Sequence, residues 1–255
     1  MFSLYDELIN SIPSDLKVVR AAAGNFWTAV ESELGVGVAG TVNEMSRPMT
    51  AHFKYEGAEL KKLAELSKSW NYVEASIGVA AINAYYNSPS VAEKNGVLFS
   101  QGDERLNDPY IAYRNYARDK KAGYIGHHQS KMVDSMLGDV AQLSYFGEGK
   151  GEYPMAAADY LLPEQDIIFL PCYFETSKDL PRYLKLAEGK LTVICGPSIT
   201  MSPILFKYGV FDMSGLVISD PDMAFESALG PDAKLMFAAG KKAALRKEDI
   251  RRLRR

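Results

Sequence analysis

The segment VICGPSITMSP, residues 193–203, combines a thiol, hydroxyl groups and a glycine–proline bend at the end of an apolar run. Two β-branched residues lead into Cys195, and the glycine and proline that follow break the strand. Free backbone N–H groups at a strand-to-helix junction, together with the hydroxyls of Ser198 and Thr200, can hold an anion or a carboxylate. The same hydroxyls can cap the helix that Pro203 begins. Both roles are compatible with the sequence.

A second set of residues carries side chains that bind soft metal ions. Imidazole and thiolate are the usual ligands of zinc and of softer transition metals. No CxxC or HExxH spacing occurs, so a site would have to be assembled from separate strand ends. Adjacent strand residues point to opposite faces, so His127 and His128 do not chelate one ion together. Cys172 and Cys195 also fit two buried, reduced thiols. The candidates are His127, His128, Glu148, Cys172, Glu175, Cys195 and Asp220.

Three common enzyme signatures do not occur in the sequence. GYIGHHQS departs from the GxGxxG pattern of dinucleotide-binding proteins, and no GxxxxGK[ST] segment is present. GPSIT does not match the GxSxG pattern of serine hydrolases. The sequence therefore contains no nucleotide-cofactor motif, and a transition metal ion is the one cofactor that its side chains suggest.

From residue 121 onward, strand-like and helix-like segments alternate through five units. This alternation predicts an α/β fold with a Rossmann-like, doubly wound parallel sheet whose strands are joined by right-handed crossovers. Such sheets bind ligands beyond the carboxyl ends of the strands, where strand order reverses. The predicted strands lie in AGYIGHH, DVAQLSYF, DIIFLPC, LTVICGP and GLVISD.

The first half of the chain predicts a smaller α+β unit. SLYDELINSI has helical spacing and ends before Pro13, and residues 17–42 are rich in β-formers with turn signals, which predicts three antiparallel strands. Residues 71–87 are apolar on every side, which is typical of a core helix, and Asn71 with Glu74 resembles a capping box. Asn83 lies midway along that helix and needs hydrogen-bond partners, from another element or from a ligand.

We expect three regions along the chain: an α+β domain over residues 1–106, a connecting helix over 107–122, and the Rossmann-like domain over 123–255. Asp108 as N-cap and Pro109 at the first helical position start the connecting helix, and Gly123 follows its end.

Charge is distributed unevenly. The net charge is −3, yet the segment GKKAALRKEDIRRLRR, residues 240–255, is strongly basic. We expect a solvated terminal helix that lies on an acidic body; a nucleic acid, an anionic membrane or an acidic partner is the alternative. No aromatic residue is interleaved with these charges, which disfavours single-stranded nucleic acid. The sequence shows neither a signal peptide nor a membrane-spanning run, so we expect a cytoplasmic protein, and base rates favour a homodimer.

Four segments carry a family resemblance: EASIGVAAINAYYN, LLPEQDIIFLPC, GPSITMSPILFKYGV and GLVISDPD. Their order resembles that of bacterial and archaeal proteins grouped as a "putative heavy-metal chelation" domain with a companion N-terminal domain of unknown function. The resemblance implies an N-terminal domain similar to that of enolase, a Rossmann-like C-terminal domain and a cleft between them. Cys172 stands where the family pattern has a small or hydroxylated residue. The matching positions are Glu74, Ser76, Gly78, Asn83, Gly196, Pro197, Ser198, Ser202, Pro203, Asp220 and Pro221.

We expect the interdomain cleft to bind a small anionic ligand, a heavy-metal ion or a metal chelate. The alternative is an enzyme that acts on a small polar metabolite in the same cleft, with Glu74 or Asp220 as general base and His127 as acid. The predicted metal ligands are His127 and Cys172. The predicted ligand-binding residues are Glu74, Asn83, Gly196, Pro197, Ser198, Thr200 and Asp220.

Overall fold

The structure is a computed structural model that describes residues 2–44, 46–100, 108–126 and 131–247. The first part of the chain forms helices packed on a small antiparallel sheet. Its order is α1 Ser3–Asn10, β1 Val18–Ala23, β2 Trp27–Ser32, β3 Val36–Gly40, α2 Leu60–Ala64, a 3-10 helix Glu65–Lys68, α3 Tyr72–Tyr86, α4 Pro89–Lys94 and β4 Leu98–Phe99.

The second part alternates strands with helices. Its strands are β5 Lys121–Ile125, β6 Gln142–Phe146, β7 Ile167–Pro171, β8 Leu191–Cys195, β9 Asp212–Ile218 and β10 Gly240–Arg246. Its α-helices are α5 Pro109–Ala117, α6 Lys131–Met136, α7 Ala158–Leu161, α8 Phe174–Ser177, α9 Leu180–Leu186 and α10 Pro221–Leu229. Its described residues also form the 3-10 helices Met155–Ala157, Leu162–Glu164, Pro203–Tyr208 and Ala233–Ala238.

The large sheet has seven strands in the order β4-β10-β9-β8-β7-β5-β6. Strands β5 to β9 run parallel, whereas at one edge β10 pairs antiparallel with β9 and β4 pairs antiparallel with β10. The predicted α/β fold with a doubly wound parallel sheet is therefore confirmed. Because β5 lies between β6 and β7, strand order reverses beside β5, and β5 and β7 border the switch point of the sheet.

Helix α3 packs across the small sheet, and its sequence explains why it can be buried. The Asn71 side chain accepts a hydrogen bond from the Glu74 N–H at 2.9 Å, so the predicted N-cap is confirmed. Twelve of the 15 helical residues are buried. Glycines allow the close approach: a Cβ on Gly78 would lie 1.8 Å from the backbone nitrogen of Ser67, and one on Gly37 would lie 2.0 Å from that of Ala84.

Two sequence predictions about the second half were wrong. The helix expected to run to residue 122 ends at Ala117, and Gly123 lies inside β5. The first part of the basic segment is strand β10 rather than a solvated helix, because Ala243, Ala244 and Leu245 are buried when β10 pairs with β9. Residues 248–255 lie outside the described part of the chain. Across the described ranges, none of the helices has the length and apolar character needed to cross a bilayer.

The contact between α3 and β3 predicts different effects for two glycines on one strand. We expect Gly37→Ala to destabilise the protein by about 3 kcal/mol, because a methyl group there overlaps the backbone of α3. Gly40→Ala is the matched control: its Cβ would have nearest neighbours at 3.5 and 3.9 Å, an ordinary contact distance. Urea unfolding of both variants measures the difference, and equal stabilities would contradict the packing described.

Candidate functional site

The loop that contains the predicted anion site is closed by α3. The Asn83 Nδ2 atom donates to the carbonyl oxygens of Val38 and Ser198, each at 2.8 Å. Its Oδ1 atom accepts from the Thr200 hydroxyl at 2.6 Å. Ser198 and Thr200 are 1% and 0% exposed. We call this contact between α3 and residues 196–202 the α3 seam. The hydroxyl groups of Ser198 and Thr200 make hydrogen bonds to other buried groups of the protein.

A second amide, at the C-cap of α3, extends the seam. Asn87 donates from Nδ2 to the Ile199 carbonyl at 2.9 Å and accepts from the Met201 N–H at 2.9 Å. Sequence reasoning missed this residue. Its spacing of four residues from Asn83 places both amides on the same face of the helix, and that spacing on an apolar helix was the available signal.

Glu175 lies beneath the seam and is 2% exposed. Its Oε1 atom accepts from the Thr200 N–H at 3.2 Å, and its Oε2 atom lies 2.7 Å from the Thr200 hydroxyl oxygen. Burial raises the pKa of Glu175 to about 7 from an ordinary value of 4.5, against the lowering effect of its contacts with Thr200. This carboxyl group therefore holds its proton at pH values where an exposed glutamate does not.

Glu74 occupies a different place on α3. Its carboxylate accepts from the N–H groups of Thr50 and Ala51 at 2.5 and 2.6 Å, and from the Ser69 hydroxyl at 2.5 Å. Burial alone raises the pKa of Glu74, but these hydrogen bonds outweigh it and hold the pKa below its ordinary value. Glu74 is nine residues from Asn83, about 13 Å along the helix axis. It anchors the loop after β3 and is not brought together with Asn83.

The two cysteines face opposite sides of the large sheet. Cys172 is buried, accepts a hydrogen bond from the Ser198 hydroxyl at 2.9 Å, and lies on the α3 side. A Cβ on Gly196 would lie 2.3 Å from the Cys172 sulfur, which explains the glycine, as does its positive φ of 136°. Cys195 is half-buried and points to α5, with Sγ 3.4 Å from the Tyr110 hydroxyl.

The thiols are protonated at neutral pH. Burial raises the pKa of Cys172 to about 11 and that of Cys195 to about 12. Both cysteines are free, as expected for reduced thiols. A metal ion would have to displace the proton to bind either sulfur.

Partly exposed side chains surround the switch point of the large sheet. The Tyr110 ring lies 5.1 Å from that of Phe169 on β7 and 6.3 Å from that of Tyr124 on β5. The Tyr173 hydroxyl and a Pro171 ring carbon would each lie 3.0 Å from a Cβ on Gly126, which has a positive φ of 107°. We define the switch-point edge by five residues: Tyr110, Gly126, Pro171, Tyr173 and Cys195.

The hydroxyl groups at this edge are hydrogen-bond donors. Burial raises the pKa of Tyr110 and Tyr173, and also that of the buried Tyr124 beside them, so these phenols stay protonated at physiological pH. Tyr173 remains 37% exposed, and Pro171, Cys195 and Tyr110 are half-buried. The edge thus presents phenolic hydroxyls and one thiol beside the switch point. Tyr110 and Cys195 lie on the side of the sheet away from the α3 seam, whereas the Cβ of Tyr173 would lie 3.5 Å from a Cβ on Gly40, near the seam.

Asp220 lies away from both the α3 seam and the switch-point edge. Cys195 at the end of β8 is level with Ser214, and β9 continues to Ile218, about 13 Å farther. The Asp220 side chain caps α10 by accepting from the Met223 N–H at 3.0 Å.

His127 and His128 lie outside the described residues. Of the predicted ligand-binding residues, the structure brings together Asn83, Gly196, Pro197, Ser198 and Thr200, all in the α3 seam.

Whether a metal ion fits in this protein depends on how its possible ligands, the His, Cys, Asp and Glu side chains, are grouped. Within the described ranges, no three His, Cys, Asp or Glu side chains form a group that could hold an ion. Cys172 is enclosed by Ser198 and Gly196, and Cys195 faces the other side of the sheet. The described residues therefore do not supply a closed protein site for a bare metal ion, which needs three or four ligands.

The fold defines a doubly wound α/β protein with a small antiparallel sheet beside it, and two family models identify it further. Both carry the description "Putative heavy-metal chelation"; one matches residues 5–86 and the other residues 110–245. The chain belongs to this family, and the resemblance recognised in the sequence is confirmed.

Solved structures agree with this assignment. A protein of unknown function from the DUF364 family of Desulfitobacterium hafniense is 35% identical, with a TM-score of 0.85 over 97% of this chain and 99% of that one. A DUF364 protein of unknown function from Pyrococcus horikoshii is 20% identical, with a TM-score of 0.73 over 96% of this chain and 98% of that one, and shows the shared fold. No curated protein matches the chain.

The seam predicts that Asn83 contributes strongly to stability. Asn83→Ala would leave two buried carbonyl groups and one hydroxyl without their partners, and we expect a loss of roughly 3 kcal/mol in the free energy of unfolding. Asn95→Ala is the control, because Asn95 makes one longer bond of 3.4 Å to the Met201 carbonyl at the half-buried end of the seam. Chemical denaturation compares the two, and an Asn83→Ala variant no less stable than Asn95→Ala would contradict the assignment.

Proposed function

We propose that this protein binds a small metal chelate, or a related small anionic ligand, at the switch-point edge. The main support is that strand order reverses between β5 and β7, and that the strand ends next to this reversal remain partly exposed. Open α/β sheets bind their ligands at this position. The family description supports a metal-containing ligand.

The chemistry of the edge fits a chelate better than a bare ion. Phenolic hydroxyls at Tyr110 and Tyr173 can donate to the oxygen atoms of an anionic chelator. The Cys195 thiol can supply one soft ligand to the metal. A chelate brings most of its own ligands, so it does not need the three or four protein donors that the described residues lack as a group.

The acid–base alternative has less support from the site. Glu74 uses both carboxylate oxygens to hold the loop after β3, and Asp220 caps α10. Neither carboxylate lies at the switch-point edge. Free thiols suit a reducing compartment, and we place the protein in the cytoplasm.

Equilibrium dialysis with cadmium, alone and premixed with citrate, tests the proposal. We expect the wild-type protein to bind the cadmium–citrate complex, and Cys195→Ser to weaken binding at least about tenfold, because a hydroxyl is a poor ligand for this soft ion. Metal content by mass spectrometry and retained citrate by enzymatic assay are measured together. Retention of cadmium without citrate would indicate a bare-ion site instead.

Cys172→Ser is the matched control, since Cys172 is a thiol on the opposite face of the same sheet. We expect it to leave the affinity for cadmium–citrate within about threefold of wild type. Equal losses in both variants, or no binding by the wild-type protein, would refute a site at Cys195.

A further inference from the structure

The hydrogen bonds of the α3 seam require one more proton than its hydroxyl and amide groups can supply. Both N–H groups of the Asn83 amide are used, by the carbonyl oxygens of Val38 and Ser198. The orientation of the amide is thereby fixed, because a flipped amide would turn its oxygen toward these two carbonyl oxygens. The Asn83 Oδ1 atom therefore faces Thr200 as an acceptor.

Thr200 has a single hydroxyl proton, and it donates this proton in the hydrogen bond to the side-chain oxygen of Asn83. The Thr200 oxygen lies 2.6 Å from Asn83 Oδ1, which cannot donate, so the proton lies on that line. The same oxygen lies 2.7 Å from Glu175 Oε2. Two oxygen atoms at this distance without a proton between them repel each other, so the second proton must belong to the carboxyl group of Glu175.

The rest of the contact agrees with this assignment. Glu175 Oε1 accepts from the Thr200 N–H at 3.2 Å, as the carbonyl oxygen of a carboxylic acid does. With Oε2–H donating to the Thr200 hydroxyl, every donor in the chain from Glu175 to Ser198 has an acceptor. The network is satisfied only with a neutral Glu175.

We propose that Glu175 is a buried carboxylic acid that acts as a pH-sensitive latch, closing the α3 seam when protonated and loosening it when it ionises. Loss of the proton would leave a negative charge in a buried site whose nearest oxygen has no proton to offer it. The charge can be relieved by admitting water between α3 and residues 196–202. The latch would act beside the switch-point edge, since residue 196 follows Cys195 directly.

The groups around Glu175 do not compensate for such a charge. Tyr5 of α1 donates its hydroxyl to the Glu175 backbone carbonyl at 2.7 Å, and the Cys172 carbonyl at the end of β7 accepts from the Glu175 N–H at 3.2 Å. Asp179, which precedes α9, is a further acid on this side. Burial is the main cause that raises the pKa of Tyr5, and the charges of Glu175 and Asp179 add to it. In the described ranges, no Lys, Arg or His side chain lies within 4.0 Å of this carboxyl group.

The direction of the pH effect follows from the raised pKa. The folded protein keeps this proton between about pH 4.5 and 7, where the unfolded chain has released it. This group therefore makes the protein less stable as pH rises through that window, and its effect levels off above it. A pKa of about 7 in place of 4.5 corresponds to a change of roughly 300-fold in the unfolding equilibrium constant.

Glu175→Gln tests the latch, because glutamine matches the shape of the neutral acid. Its Oε1 atom can accept from the Thr200 N–H, and its amide can donate to the Thr200 hydroxyl. We expect the unfolding constants of wild type and variant to agree at pH 4.5, and that of wild type to exceed the variant's by up to about 300-fold at pH 8. Glu226→Gln, on the exposed face of α10, is the control and should leave the wild-type pH profile unchanged.

Two further measurements address the proton and the seam directly. Infrared difference spectroscopy at pH 6 should show the carbonyl stretch of a protonated carboxylic acid that disappears in Glu175→Gln. Amide hydrogen exchange of residues 196–202 should be faster in wild type than in the variant at pH 8 and equal at pH 5. Parallel stability profiles, or a wild-type spectrum without the acid band at pH 6, would overturn the proposal.

Discussion

The structure depends on the requirement that a buried amide must have hydrogen-bond partners. Asn83 is 0% exposed on a helix that is otherwise almost wholly apolar, and its three bonds reach β3 and the loop after β8. Two carbonyls and one hydroxyl from separate parts of the chain are thereby fixed relative to α3. This arrangement ties β3 and the loop after β8 to α3, and it closes the face of the large sheet on which that loop lies.

Closure of that face determines where a ligand can bind. The hydroxyls of Ser198 and Thr200 turn inward to Cys172, Asn83 and Glu175, so the α3 side of the glycine–proline bend is a structural contact. Cys195 turns to the other side and meets Tyr110. One short loop thus separates a closed polar seam from a partly exposed edge, and the chemistry proposed for each follows from that division.

Hydrophobic periodicity predicted the five parallel strands, the three antiparallel strands and the buried helix α3, because each depends on local patterns. The site was harder to predict. Whether the Ser198 hydroxyl faces a ligand or a neighbouring thiol depends on tertiary contacts that leave no local pattern. Asp220 lies away from the other strand ends because β9 extends four residues beyond the level of Cys195, a length that the sequence alone does not reveal. Strand β10 was missed because its short apolar core, residues 243–245, lies among basic residues typical of a solvated helix.

A crystal structure of the protein soaked with cadmium–citrate, with the metal located by anomalous scattering, tests the binding site at the switch-point edge. We expect a peak at bonding distance from the Cys195 sulfur, with the citrate oxygens near the hydroxyls of Tyr110 or Tyr173. A peak at Cys172 inside the α3 seam, or a metal bound far from the switch-point edge, would contradict this site.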